Sequence, residues 1–247
     1  MATMKQATKK TTKKATANRL LNGAKAAAKE ASQTKVVKCV IPRANILAFP
    51  FHVKGTAPLV QHAFSRSKRR EMMAKQAAGS QAQSKKPRDP KDFEKLFKDA
   101  AHRSTEGWYG IPAPAFRSAM IDACRLVGFK MTYAKLSVFI QPDGFDEQDG
   151  TPLVKMHGGE PERHEAAVRN ATGVIDTRVR PMWREWSAVV TVRWDDDQFS
   201  LSDVANLLER AGMQVGIGEG RPNSKKSHGQ GWGTFHVDMD AVSEVVG

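Results

Sequence analysis

The sequence predicts an α+β fold in which a βαββαβ core follows a basic N-terminal arm. Three features lead to this prediction: short segments of alternating apolar and polar residues, capped segments with helical spacing, and a first segment, residues 1–35, with almost no large apolar side chains. Alternation is typical of half-buried strands, whereas apolar residues three and four apart indicate helices that pack on a core. The chain has 247 residues and is 40% hydrophobic, which is enough for one large folded domain.

The arm, residues 1–35, is predicted to be disordered, and the folded domain is predicted to span residues 36–247. The arm consists mostly of Ala, Lys and Thr, so it buries too little apolar surface to offset the entropy of ordering. It contains nine Lys and Arg residues against one acid, Glu30. Residues 60–103 contain twelve more against five acids, and the net charge of the whole chain is +13. A nearly neutral body with two basic segments predicts contact with a polyanion, and we expect nucleic acid as the partner.

The folded domain is predicted to begin with a strand over residues 36–53, broken near Pro42. Residues 56–104 then change pattern and are predicted to be a basic helical insertion. Its first helix covers residues 64–78 and is capped by Ser65, and its second starts at Asp89 with a proline in the first position.

The remaining core elements are predicted from the same patterns. They are a helix over residues 114–127 that ends at Gly128, strands over residues 134–144, 151–159 and 187–197, a helix from Ser200 or Ser202 to Gly212, and a strand over residues 233–239. Their order is that of a ferredoxin-like or RRM-like fold, a four-stranded antiparallel sheet with two helices on one face. The other face of the sheet is then free for a ligand.

A glycine-rich segment, residues 216–235, joins the last helix to the last strand. Glycine lets a backbone approach a ligand closely, arginine and lysine contact phosphates, and tryptophan stacks on bases. The binding residues predicted here are Gly216, Gly218, Gly220, Arg221, Lys225, Lys226, Gly231, Trp232 and Gly233. The alternative is a long, mobile β-hairpin with turn glycines.

A second candidate segment, RVRPMWREW, alternates guanidinium and indole side chains. Its candidate residues are Arg180, Trp183 and Arg184. This alternation suits single-stranded nucleic acid, because every base has a face that an aromatic ring can stack on. The alternative is that its tryptophans are buried against the sheet.

The segments VGIGEGRP and GWGTF, together with GIPAPAFRSAMIDAC, resemble the RAMP superfamily, whose members are RNA-binding backbone and crRNA-processing subunits of CRISPR complexes. The sequence is also similar to a group of uncharacterised tailed-phage proteins. The resemblance implies that the glycines and Arg221 shape a nucleic-acid backbone site, and that Arg66, Lys68, Arg69 and Arg70 of the insertion flank the bound strand. The family's loop is usually denser in glycine. In this chain, the centre of the loop instead contains Asn223, Ser224 and two lysines. These residues favour a looser contact with the nucleic-acid backbone that depends mainly on charge.

Other chemistries find less support in the sequence. Cys39 and Cys124 lie in apolar stretches without ligand spacing and are predicted to be buried thiols. We expect no metal site, no cofactor and no membrane partner, and a cytoplasmic location. His62, beside the basic helix, is the best candidate for a general base.

Three functions therefore remain open. The first is a non-catalytic protein that prefers single strands of RNA or DNA and coats them as an oligomer with copies of itself. The second is a metal-independent endoribonuclease that uses His62. The third is a phage structural or genome-packaging protein whose arm neutralises DNA.

Overall fold

A seven-stranded antiparallel sheet is the main element of the fold. In this computed structural model, the described residues are 40–79, 90–169, 173–224, 229–240 and 242, and the side chains of Arg66, Ser67 and Arg169 are excluded. The strands of the main sheet are β1 (Ile46–Gly55), β3 (Gly110–Pro112), β4 (Val138–Ile140), β5 (Gly144–Phe145), β6 (Pro152–His157), β9 (Ser187–Asp195) and β10 (Phe235–Val237). They follow the order β10-β1-β9-β6-β3, with β4 on β9 and β5 on β6. All described pairs are antiparallel.

A second antiparallel sheet and five α-helices complete the described part of the chain. The second sheet has the order β2-β8-β7, formed by β2 (Leu59–Val60), β7 (Glu162–Arg169) and β8 (Ile175–Trp183). The helices are α1 (Arg66–Ala77), α2 (Phe93–Asp99), α3 (Ala113–Ala123), α4 (Met131–Ser137) and α5 (Leu201–Arg210). The α+β class predicted from the sequence is therefore confirmed.

The core lies between the main sheet and helices α3 and α5. Every second residue of β9 from Ala188 to Trp194 is buried, and these side chains belong to one apolar cluster with Phe116 of α3 and Leu208 of α5. Phe116 also meets Phe235 of β10 edge to face, with 5.7 Å between ring centroids. The alternate residues of the central strands face away from this cluster, so the opposite face of the sheet is open.

Local signals determine several helix ends as predicted. Ser65 caps α1, and its hydroxyl accepts a hydrogen bond from the amide of Lys68. Ser200 caps α5 in a reciprocal pair with Asp203. Gly128 adopts the left-handed conformation, with φ 70°, after the 3₁₀ turn Cys124–Val127 that follows α3.

Other boundaries were predicted wrongly. The first strand begins at Ile46, and residues 40–45 have no regular structure. Helix α2 begins after Asp92, whose carboxylate caps it, and the predicted cap Asp89 lies outside the described residues. A strand was predicted over residues 134–144, but its first four residues belong to helix α4, and only β4 and Gly144 of β5 are extended. Helix α5 passes through a π-helical turn, Ala211–Val215, and ends at Gly216 instead of Gly212.

Several other predictions have mixed outcomes. Cys124 is a buried free thiol, as predicted, and burial raises its pKa. Cys39 and the whole predicted arm, residues 1–35, lie outside the described residues. Among the residues that are described, no helix is long and apolar enough to cross a membrane.

Candidate nucleic-acid interface

The glycine-rich segment packs against the second sheet through backbone hydrogen bonds. The amide of Glu219 donates to the carbonyl of Val60 in β2 over 2.9 Å, and the amide of Gly233 donates to Pro58 over 2.8 Å. The two ends of the segment also bond to each other, because the amide of Ile217 donates to the carbonyl of Gly233 over 2.9 Å. Residues 216–224 and 229–234 contain no strand, so the hairpin alternative is wrong for the described part of the segment.

The glycines of this segment are required by its own conformation. Gly216, Gly218, Gly220, Gly229, Gly231 and Gly233 all have φ between 66° and 74°. At Gly218, a Cβ atom would lie 2.7 Å from the carbonyl oxygen of Val60, and at Gly233 it would lie 1.8 Å from that of Ile217. The glycine content is thus explained by left-handed backbone and close packing before any ligand is considered.

The segment closes one side of a cavity of about 240 Å³ that contains two histidines. We call it the two-histidine cavity. Its lining residues are Leu59, Gln61, His62, His102, Ile111, Pro112, Ala115, Gly218, Glu219 and Arg221. The guanidinium of Arg221 donates to the carbonyl of Gly218 over 3.0 Å, which holds the cation at this cavity.

His62 and Arg180 approach the same carboxylate, that of Glu219. Nδ1 of His62 lies 3.8 Å from it, and Nη2 of Arg180 lies 3.1 Å from it. The pKa of Glu219 is lowered by its polar contact with His62, against the opposing effect of burial and with help from Arg180. These contacts place a carboxylate and two basic groups together.

Arg180 is only 3% exposed, so its charge is removed from water. Its Nε and Nη2 have no hydrogen bond among the described residues, and the approach to Glu219 is therefore an ionic contact. Burial lowers the pKa of the guanidinium, although Glu219 opposes that effect. A buried, incompletely bonded guanidinium beside the cavity favours an anionic ligand.

His102, which the sequence analysis did not single out, is held by two buried polar side chains. Its Nδ1 lies 2.8 Å from Oδ2 of Asp146, a carboxylate that is 4% exposed. Its backbone amide donates to Gln61 over 2.8 Å, and Gln61 in turn donates to the carbonyl of Gly110. A carboxylate on one ring nitrogen orients the imidazole and leaves Nε2 for a ligand. No local signal connects His102 with Asp146, because 44 residues separate them.

A second cavity of about 240 Å³ shares His62 and extends toward α1. We call the two cavities together the His62 groove. The charged and aromatic residues of the second cavity are Phe64, Lys68, Lys91, Asp99, Asp176 and Arg178.

The basic residues of α1 differ in their surroundings. Lys68 lines the groove and Arg70 is exposed, whereas Arg69 forms an ion pair with Asp149 at 2.8 Å. Nothing is described for the side chain of Arg66. The groove thus brings Lys68 close to the glycine-rich segment, and Arg69 has a structural partner of its own.

Of the two tryptophans predicted to stack on bases, Trp183 is buried and Trp232 is partly accessible. Trp183 is 1% exposed, and its indole N–H donates to the carbonyl of Gly159, so we exclude it from the interface. Trp232 is half-buried and meets the ring of His164 edge to face. Arg184 forms an ion pair with Glu162 at 2.9 Å. Lys225 and Lys226 lie outside the described residues.

No family model matches the chain, and no curated protein is significantly similar to it. Within the described ranges, no three His, Cys, Asp or Glu side chains lie close enough together to hold a metal ion.

Proposed function

We propose that the protein is a cytoplasmic, non-catalytic nucleic-acid-binding protein that prefers single strands of RNA or DNA. One observation carries the proposal: the His62 groove joins the basic helix α1 to the glycine-rich segment. These two segments are far apart in the sequence, and each one separately predicts contact with a nucleic-acid backbone. Their meeting at one groove is what a single binding site requires.

The chemistry of the groove suits a strand with exposed bases. Its cations are Lys68, Lys91, Arg178 and Arg221, with Arg180 beside them, and its carboxylates are Asp99, Asp176 and Glu219. Cations therefore outnumber carboxylates and favour phosphate contact. Phe64 lines the groove and is 49% exposed, so its ring is accessible for stacking on a base.

The topology of the main sheet supports the finer prediction of a ferredoxin-like core. Helix α3 lies between β1 and β6 in the chain, helix α5 lies between β9 and β10, and β9 lies between β1 and β6 in the sheet. This is the split βαβ arrangement expected for that fold. We propose on this basis, and on the glycine-rich segment, that the chain is a relative of the RAMP superfamily.

Fluorescence anisotropy with labelled single-stranded RNA, single-stranded DNA and duplex DNA of equal length tests the proposal. We expect tighter binding to single strands at moderate salt. Arg221→Ala removes a cation of the groove, and Arg210→Ala is its matched control because Arg210 is an exposed arginine on the last turn of α5.

The two variants should differ if the groove is the site. We expect Arg221→Ala to weaken single-strand binding and Arg210→Ala to leave it within error, with unfolding curves showing that both are folded. Equal losses, or equal affinity of the native protein for duplex and single strands, would contradict the proposal.

A metal-independent endoribonuclease is the second candidate, and the position of His102 favours it. His62 and His102 line one cavity, and each lies near a carboxylate. One imidazole would take the proton of the 2′-hydroxyl and the other would give a proton to the leaving 5′ oxygen, which leaves a cyclic phosphate.

Cleavage of RNA in excess chelator, with a 2′-deoxy strand as control, separates this function from binding alone. Cleavage of RNA only, lost in His102→Asn, would establish the nuclease, and an intact RNA would exclude it. The genome-packaging alternative depends on residues 1–35, which lie outside the described residues.

A further inference from the structure

Three of the seven histidines of the chain lie on the open face of the main sheet. Lys54 of β1 pairs with His236 of β10 on one side and with Ser187 of β9 on the other, and Ser187 pairs with His157 of β6. Directly paired residues point to the same face of a sheet. His236, Lys54, Ser187 and His157 therefore form one row across four strands. His52 lies two residues before Lys54 on β1 and points to the same face.

The row lines the larger of two adjoining cavities. The first measures about 540 Å³ and is lined by His52, Lys54, His157, Ser187 and His236, among others. The second measures about 340 Å³ and shares His157 and Val189 with the first. It extends to the half-buried ring of Trp108. We call these two cavities together the sheet-face track. Among the described residues, none lines both the track and the His62 groove.

The charge of the track depends on its imidazoles. The other charged side chains that line it are Lys54, Lys155, Glu106, Asp143, Asp238 and Asp240. Two lysines against four carboxylates give a negative track while the histidines are neutral, and three protonated imidazoles make it positive. Imidazole is the side chain that ordinarily changes charge between pH 5 and 8.

Three of the four carboxylates of the track accept hydrogen bonds from neighbouring groups. Glu106 accepts the indole N–H of Trp108, and Asp143 accepts the backbone amide of Lys155. Asp238 accepts the backbone amide of Asp240. The central row contains only basic and hydroxyl groups, so an anion bound there would meet the imidazoles, an ammonium and a hydroxyl.

We propose that the sheet-face track is a second binding site for single-stranded nucleic acid, one that engages phosphates when His52, His157 and His236 are protonated. The site rests on the proposed function, which it extends from one strand site to two. The row spans about 14 Å at about 4.8 Å per strand pair, which exceeds one phosphate group and fits a chain of them. Trp108, at the far end of the track, offers an aromatic edge to a base.

The test compares the affinity of the full chain for one labelled single strand at pH 7.5 and pH 5.5, each at several salt concentrations. For the native protein we expect affinity to rise about tenfold at the lower pH, from three new exposed charge pairs. The slope of log affinity against log salt should steepen by about 2, because each added phosphate contact on a single strand contributes about 0.7.

Three variants locate the effect. The triple substitution His52→Gln, His157→Gln and His236→Gln should remove the rise at pH 5.5 and leave affinity at pH 7.5 within about twofold. His164→Gln is the matched control, because His164 lies on β7 against Trp232, and it should keep the rise. Lys54→Glu is an independent variant of the same row, and it serves if the triple variant does not fold. It should also reduce the rise in affinity at pH 5.5.

The outcomes distinguish this site from the proposed function. A rise that persists in the triple variant would assign it to groups outside the track and overturn the second site. Binding without any pH dependence would overturn the second site and leave the proposed function intact. No binding at either pH would overturn both.

Discussion

Replacing Gly233 by alanine should destabilise the protein strongly, because the glycine-rich segment closes on itself at this residue. Gly233 has φ 66°, and a Cβ atom there would lie 1.8 Å from the carbonyl oxygen of Ile217. The left-handed conformation alone costs an alanine about 1 kcal/mol. To relieve the clash, the backbone has to move away, and it then loses the bonds of Gly233 to Ile217 and to Pro58. At about 1 kcal/mol each, the total loss in unfolding free energy is about 3 kcal/mol.

Gly231→Ala is the matched control for the backbone conformation. Gly231 has φ 72°, and apart from its chain neighbours no atom of the described residues lies within 4 Å of a Cβ built there. This variant therefore pays only the conformational cost, about 1 kcal/mol. The two substitutions should differ by about 2 kcal/mol although they add the same methyl group two residues apart.

Urea unfolding of both variants and the native protein measures this difference. An unchanged slope of unfolding free energy against urea concentration would show that the same structure unfolds in each case. Equal losses in the two variants would refute the reasoning, because they would show that the close approach of Gly233 to Ile217 does not contribute to stability. A large loss in both would instead place the cost in the left-handed conformation.

Burial raises the pKa of Asp149, but hydrogen bonds from Thr151 and Arg69 outweigh that effect and lower the pKa to about 2. A carboxyl group with a lowered pKa stabilises the fold at pH values above its ordinary pKa, about 3.9. This stabilisation is lost as the pH falls to about 2. In urea unfolding, Arg69→Gln should thus cost about 1 kcal/mol at pH 7, and the cost should shrink below about pH 4. Trp183→Phe loses one buried hydrogen bond and leaves a small cavity in the core, so it should cost about 2 kcal/mol in the same assay without changing strand affinity by anisotropy. Deleting residues 1–35 should flatten the salt dependence of binding by about 0.7 per lost phosphate contact, and an unchanged slope would mean that the arm makes none.

The two proposed functions, strand binding and RNA cleavage, depend on the same residues of the His62 groove. The two basic groups His62 and Arg180, together with the carboxylate of Glu219, suit phosphate contact as well as proton transfer. Cleavage differs from binding in that it also requires the second imidazole, His102, to lie within reach of the reacting atoms of a bound strand. Cleavage assays on His102 variants therefore decide between the functions more directly than any substitution at Arg221.

The helix caps at Ser65 and Ser200 and the helix stop at Gly128 are features that the sequence alone determined, whereas the cap at Asp92 and the stop at Gly216 were missed. Ser65, Ser200 and Gly128 act within three or four residues of themselves, through hydrogen bonds to neighbouring amides or through a left-handed φ. Such signals need no distant partner. The α+β class follows from the same local patterns, because strand and helix periodicities are properties of short segments.

Only the tertiary structure decided which residues share a site. Residues 162–169 are polar and show no strand pattern of their own, yet they form β7 because they pair along their whole length with β8. Trp183 could have faced solvent or core, and its neighbours in space made it core. His102 and Asp146, like the four residues of the row on the open sheet face, meet only through strand pairing and chain folding. Contacts between residues far apart in sequence depend on packing energies of the whole domain, and these are not encoded in any one segment.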